Sequence, residues 1–164
     1  MKRQRKKYKT PTKPWDKQRI EKERELVKTY GLKKKREIWR AFSLLRKYRK
    51  MARELAAKKD KEMEKTLVKK LVVLGLLNEG ANLDDVLGLT LENILDRRLQ
   101  TILFKKGLVN TISQARQLIV HRKVLIEGRK IVYPSYLMSA DEENKIQVLM
   151  QVKTKETKVE GVVQ

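Results

Sequence analysis

Apolar residues recur at steps of three and four through most of the chain and at steps of two only near its end. Ile20, Leu26, Val27 and Tyr30 keep helical spacing behind Asp16, an N-cap residue type, and Gly31 ends the stretch. A longer helix is predicted from about Lys33 to Ala57, with the stripe Ile38, Ala41, Phe42, Leu45, Tyr48, Ala52 and Leu55. Its other face carries Arg36, Arg40, Lys47 and Lys50, with Arg46, Arg49 and Arg53 along the flank. Residues three or four apart project side by side, so such rows can track phosphates. A coiled coil would need acids interleaved, and between Glu37 and Glu54 there are none. Asp60 to Leu74 repeats the helical pattern through Met63, Leu67, Leu71 and Leu74, flanked by Glu62 and Glu64, and reads as core support. Gly75, Gly80 and Gly88 punctuate the next connection, where Asn82-Leu83-Asp84-Asp85 resembles a cap before one helical turn.

Thr90 can cap a helix running to about Lys106, with Leu95, Leu99, Ile102 and Leu103 inward and Arg98, Thr101 and Lys105 on the opposite face, Arg97 beside them. Gly107 stops it. Thr111 and Gln114 form a capping box for a helix that turns Ile112, Ala115, Leu118 and Ile119 inward, with Arg116 and Gln117 pointing elsewhere. After His121 the period becomes two. Val124 and Ile126 alternate with Lys123 and Leu125, Glu127-Gly128 makes a tight turn, and Arg129 to Val132 returns before Pro134. Lys145 to Met150 reads as a last strand. The expected fold is α+β: a mainly helical N-terminal region plus a small module of two helices packed on a short, mostly antiparallel sheet. The expected division is a basic arm over 1–14, a helical region over 15–96, the module over 97–150 and a mixed-charge tail over 151–164.

Charge narrows the function. Lys and Arg number 41 against 20 acids in 164 residues, a formal charge of +21. Residues 1–60 hold 24 basic and 7 acidic residues (+17), and residues 61–164 hold 17 and 13 (+4). Within the second part, Arg97 to Lys130 has nine basic residues and one acid, Glu127. Two basic zones separated by a near-neutral spacer point to a polyanion gripped at two surfaces. Residues 1–14, with Arg3, Arg5, Lys6 and Lys7, carry too little apolar surface to order alone and are expected to order against phosphate. No apolar run approaches the roughly 20 residues of a spanning helix, and the basic start leads into prolines rather than a signal segment, so no membrane partner is expected. Zero cysteines exclude disulfides and thiolate sites.

Catalytic chemistry has little to work with. His121 is the single histidine, and a lone histidine between helix and strand is read as a turn residue or phosphate contact. There is no GxxxxGK phosphate loop. Asp141-Glu142-Glu143 reads as solvated charge rather than a metal site. Trp15 and Trp39 could stack on bases, although Trp15 beside Pro14 is read as a packing anchor for the arm. No enzyme activity, cofactor, metal or small-molecule substrate is expected.

The segments RRLQTILFKKGL and TISQARQLIVHRKVLIEGRKIVYPSYLM resemble the small RNA-binding module named after the universal small-subunit ribosomal protein four family. The opening RQRKKYKTPTKPWDKQRIEKE resembles the archaeal and eukaryotic form of that family. The resemblance implies a cytoplasmic, structural component of the small ribosomal subunit. It implies a primary binder of small-subunit rRNA that grips a multi-helix junction, helps nucleate assembly and lies near the mRNA entry channel. Implied partners are ribosomal protein five and other small-subunit proteins. It places Arg97, Arg98, Arg116, Gln117, His121, Arg122 and Lys123 toward RNA, to which the charge pattern adds Lys105 and Arg129. Two positions depart from the family: Arg122 replaces a usual glycine, and Glu127 a common asparagine. The cysteine-held zinc of many bacterial members is excluded here. The module also occurs on pseudouridine synthases, tyrosyl-tRNA synthetases and ribosome rescue factors, and a free-standing RNA-binding regulator or rescue factor using it remains the alternative. A regulator has no need of so basic an extension.

Overall fold

The structure, a computed structural model, describes residues 6–149. Asp16 accepts the backbone N–H of Arg19 (3.4 Å) and starts α1 (Lys17–Thr29). The long α2 (Lys35–Lys58) buries Ile38, Ala41, Leu45, Tyr48 and Ala52, the three-four rhythm of one helix face. Asp60 caps α3 (Lys61–Val73), and two short helices follow, α4 (Leu83–Gly88) and α5 (Leu91–Asp96). Together these close a first core around Leu45, Tyr48, Leu71, Val86 and Leu95.

A second core is separate. It gathers Leu99, Leu103, Ala115, Ile119, Val124 and Met138 from α6 (Leu99–Lys105), α7 (Ile112–Val120), β1 (Val124–Ile126) and the loop after the hairpin. The sheet has the order β2-β1-β3, with β2 (Arg129–Lys130) and β3 (Ile146–Val148) both antiparallel to β1, and α8 (Ala140–Glu143) between them in sequence. Ile126 pairs with Arg129 on one side and Ile146 on the other. This is the α+β arrangement that the periodicity predicts. Met150, expected at the end of β3, lies outside the described residues.

Three local expectations change. The single helix from Thr90 to Lys106 is two helices, broken at Arg97 and Arg98. Leu99 N–H donates to Tyr136 O (2.8 Å) instead of to Leu95 O, and Met138 N–H donates to Arg97 O (3.0 Å). A strand-like bridge between Arg98 and Leu137 thus replaces helical bonds, and the Thr101 hydroxyl takes up the Leu95 carbonyl (2.8 Å). Phe42 is at the edge of its stripe, 41% exposed, with the Arg46 guanidinium over its ring at 4.4 Å. Trp15 anchors nothing among the described residues and is 89% exposed. Residues 6–14 lie along the first two helices. Tyr8 meets Trp39, Lys9 N–H donates to Ser43 Oγ (3.1 Å), and Arg19 donates to the carbonyls of Lys13 and Pro14 (2.8 and 3.0 Å).

Candidate nucleic-acid interface

The cores divide between Leu95 and Leu99, and polar side chains bridge the division. Arg98, expected on an exposed helix face, is 4% exposed and donates to Glu37 Oε2 (2.6 Å) on the first turn of α2. Arg116 of α7 reaches the same carboxylate (3.1 Å to Oε1) and also donates to Gln100 Oε1 (3.3 Å). Gln100 is 1% exposed, and its amide donates to the carbonyls of Tyr30, Gly31 and Ile112 (3.3, 3.1 and 3.3 Å). Burial pushes the Glu37 carboxyl up, but hydrogen bonds from Arg116 and Arg98 outweigh it and hold the group below its ordinary value. Thr101 leaves the predicted surface too, at 3% exposed.

Arg97 is likewise occupied. It pairs with Glu143 (2.7 Å), donates to Met138 O (3.3 Å) and lies against Gly75, where an added Cβ would come within 2.7 Å of its guanidinium carbon. Lys105, on the surface as expected, pairs with Asp96 (2.8 Å). Of the helix face expected to carry Arg97, Arg98, Thr101 and Lys105 outward, Arg98 and Thr101 are therefore interior and Arg97 is partly buried, because the helix breaks there and turns.

Two neighbouring clefts lie beside the bridge. One, of about 560 Å³, has Lys33, Lys34, Arg36 and Arg40 on its α2 side and Arg116, Pro134, Ser135 and Leu137 opposite, with Glu37 and Arg98 between them. The other, of about 510 Å³, lies between Lys28, Gly31 and Lys33 and the α7 residues Ser113, Arg116, Gln117 and Val120, with His121 following. Lys33 and Arg116 line both. Lys28, Lys33, Lys34, Arg36 and Arg40 have no carboxylate partner among the described residues. The tertiary structure thus brings together Arg36 and Arg40 of the first basic zone with Arg116, Gln117 and His121 of the second.

Other predicted positions stand apart from these clefts. Further along α2, Lys47 is exposed, Arg46 sits on Phe42, Arg49 donates to Leu89 O (2.7 Å), Lys50 pairs with Glu54 (3.4 Å) and Arg53 donates to Arg49 O (3.3 Å). Arg36 to Arg53 spans about 25 Å of helix at 1.5 Å per residue. Lys6 and Lys7 are exposed; Arg3 and Arg5 lie outside the described residues.

At the module's far end, Arg122 takes φ 59° as the residue after the His121 cap, and Lys123 N–H closes the helix end onto Leu118 O (2.9 Å). The turn that glycine allows therefore forms with arginine, and His121, Arg122 and Lys123 are all exposed. Glu127 (φ 49°) and Gly128 (φ 78°) make the tight hairpin turn beside exposed Arg129 and Lys130. The acid at this tip is paired: Lys145 donates to Glu127 Oε1 (2.5 Å). That hydrogen bond, with the Glu127 charge, pushes the Lys145 ammonium up.

Sequence reasoning missed Lys33, Lys34, Glu37 and Gln100. The run Lys33-Lys34-Lys35 opening a helix was a visible signal for the first two. For Glu37 the signal was its isolation as the single acid between Glu25 and Glu54. Gln100 carried no signal. Among the described residues, no group of His, Asp or Glu could hold a metal ion, and no helix is long and apolar enough to cross a membrane.

Comparison with known proteins divides the chain at the same place as its cores. Residues 2–96 match the family described as ribosomal protein S4/S9 N-terminal domain, and residues 97–143 match the S4 domain. Small ribosomal subunit protein uS4 of Saccharolobus solfataricus is 52% identical over 149 residues, covering 88% of this chain and 82% of that protein. Its counterpart in Saccharolobus islandicus (strain L.S.2.15) is 50% identical over the same length and coverage.

Proposed function

The chain belongs to the small ribosomal subunit protein uS4 family of non-enzymatic structural proteins, and from that premise we propose that it binds small-subunit rRNA through the clefts where α2 meets α7. One observation carries the reading: cations of both basic zones line two neighbouring clefts that share Lys33 and Arg116, and on the α2 side Lys33, Lys34, Arg36 and Arg40 have no carboxylate partner among the described residues. Lys33, Lys34, Arg36 and Arg40 supply one wall, and Arg116, Gln117 and His121 the other. His121, Arg122, Lys123 and Arg129 extend the contact along the module, while Lys47 and Arg53 extend it along α2. Arg97 and Arg98 support the surface from beneath. As a ribosomal component the protein works in the cytoplasm.

A surface built from two separately folded halves suits an RNA junction, whose helices diverge from one point. On that ground, gripping a multi-helix junction early in subunit assembly is part of the proposal, as are a place near the mRNA entry channel and contact with ribosomal protein five. Shape and phosphate contacts, rather than base edges, would govern such binding.

The test is filter binding to in vitro transcribed small-subunit rRNA of Saccharolobus solfataricus across a salt series. Each neutralised phosphate releases counterion, so log affinity should fall with log salt with a slope of several units. Arg36→Ala with Arg40→Ala should weaken binding and flatten that slope. A slope near one in the unaltered chain would exclude the two-walled groove. Sedimentation in lysate should place the protein with small subunits; recovery at the top of the gradient would favour the regulator or rescue reading.

A further inference from the structure

We infer that Glu37, an acid in a basic groove, is a positioning residue that strengthens RNA binding by fixing the angle between the two walls. The inference rests on the groove proposed above as the RNA site. Its starting point is the division of the cores. The buried cores are separate, and of the module's apolar side chains only Leu137 is partly buried against the first core among the described residues, so hydrophobic burial constrains the facing of the halves weakly.

What joins the walls is polar and directional. Glu37 sits on the first turn of α2, between Arg36 and Arg40 on that helix. Its two oxygens accept from Arg98, at the start of α6, and from Arg116, in the middle of α7. The carboxylate thus ties the α2 wall to both helices of the module. Gln100 adds a second tie from α6 to the α1–α2 turn. Charge-assisted bonds to guanidinium groups fix direction as well as distance, unlike apolar contact. A groove whose cations already stand at their final spacing loses less order on binding.

Simple electrostatics predicts the opposite sign for this residue. An acid among phosphate-binding cations repels the ligand, so removing it should raise affinity for any polyanion. Positioning predicts that removing it lowers affinity for a folded RNA while leaving a flexible polyanion unaffected or better bound.

Glu37→Gln separates the two. Glutamine keeps the shape but cannot satisfy two guanidinium groups, which leaves one unpaired in the groove. The variant and the unaltered chain are titrated with the Saccharolobus solfataricus rRNA transcript and, separately, with poly(U). The chain has no cysteine, so Ala57→Cys and Gln147→Cys provide two dye sites on exposed positions of α2 and β3 for single-molecule distance measurement. Glu37→Gln should bind the transcript about tenfold more weakly, bind poly(U) at least as well as before, and broaden the single narrow distance distribution. Transcript affinity that rises in step with poly(U) affinity, or an unchanged distance distribution, would overturn the inference. If Glu37→Gln does not fold, Arg116→Lys decides. Lysine keeps the charge but cannot span Glu37 and Gln100 together, so the same changes should appear with smaller amplitude. Failure of the unaltered chain to bind the transcript would instead reject the RNA groove, and the distance distribution would still report on the joint.

Discussion

Arg122 shows a residue accepting backbone strain in a place where it presents charge. Its left-handed conformation brings Cβ close to the following carbonyl, which costs about 1 kcal/mol for a residue other than glycine. The surrounding geometry leaves no other choice, because the α7 carbonyls are closed by Arg122 N–H onto Ile119 O (3.0 Å) and Lys123 N–H onto Leu118 O (2.9 Å). Arg122→Gly should therefore raise stability by about 0.5–1 kcal/mol, a few degrees in Tm. The same change should weaken rRNA binding by removing an exposed cation. Thermal melts and filter binding on one preparation check both; a lower Tm would mean that arginine is not strained there. Glu127 takes the same backbone region at the hairpin, but its charge is held by Lys145, so the tip stays basic through Arg129 and Lys130.

Among the elements, the break between α5 and α6 matters most. A continuous helix would have placed Arg98 and Thr101 in solvent. The chain segment at Tyr136 to Met138 instead competes for the backbone groups of Arg97 and Leu99, and the turn it forces carries Arg98 and Gln100 inward. Gln100 then replaces with one amide the hydrogen bonds that three carbonyls would otherwise seek from water. Gln100→Leu has similar volume and no donor. It should lower unfolding free energy by about 2–3 kcal/mol, the cost of stranding the carbonyls of Tyr30, Gly31 and Ile112. Urea titration measures it, and a change below half a kcal/mol would show that solvent reaches those carbonyls after all.

For the whole molecule, the polar joint between two cores makes acid stability depend on named carboxyls. Glu37 is held low by Arg116 and Arg98 against its burial, and Glu142 is held low by Tyr136 and Ser139 against its own. A carboxyl whose folded value lies below its unfolded one stabilises the fold fully above the ordinary value of 4.5. That contribution is lost as pH falls through the lower, folded value. Urea midpoints should therefore hold level from pH 7 to 5 and decline below about pH 4.5, as expected for carboxyls with depressed folded values. Glu37→Gln should show a shallower decline from a lower plateau. Parallel curves for the two proteins would remove Glu37 as a source of the acid sensitivity.

Periodicity and charge along the chain were enough to determine the helical region, the two-helix module, its hairpin and the polyanion partner. Each depends on neighbours in sequence: a helix face on residues three or four apart, a hairpin on its turn, a phosphate-binding zone on summed charge. Asp16, Asp60, Thr90 and Thr111 cap helices as their residue types indicate, because a cap bonds only three residues ahead. What only the tertiary structure decided is which cations are free. Arg98 and Arg36 both belong to basic runs, yet one is paired in the interior and the other lines a cleft without a carboxylate partner among the described residues. That outcome depends on Glu37, 61 residues from Arg98 and 79 from Arg116. A carboxylate so distant in sequence leaves no local pattern, and whether it reaches a guanidinium depends on where two separately formed cores come to rest.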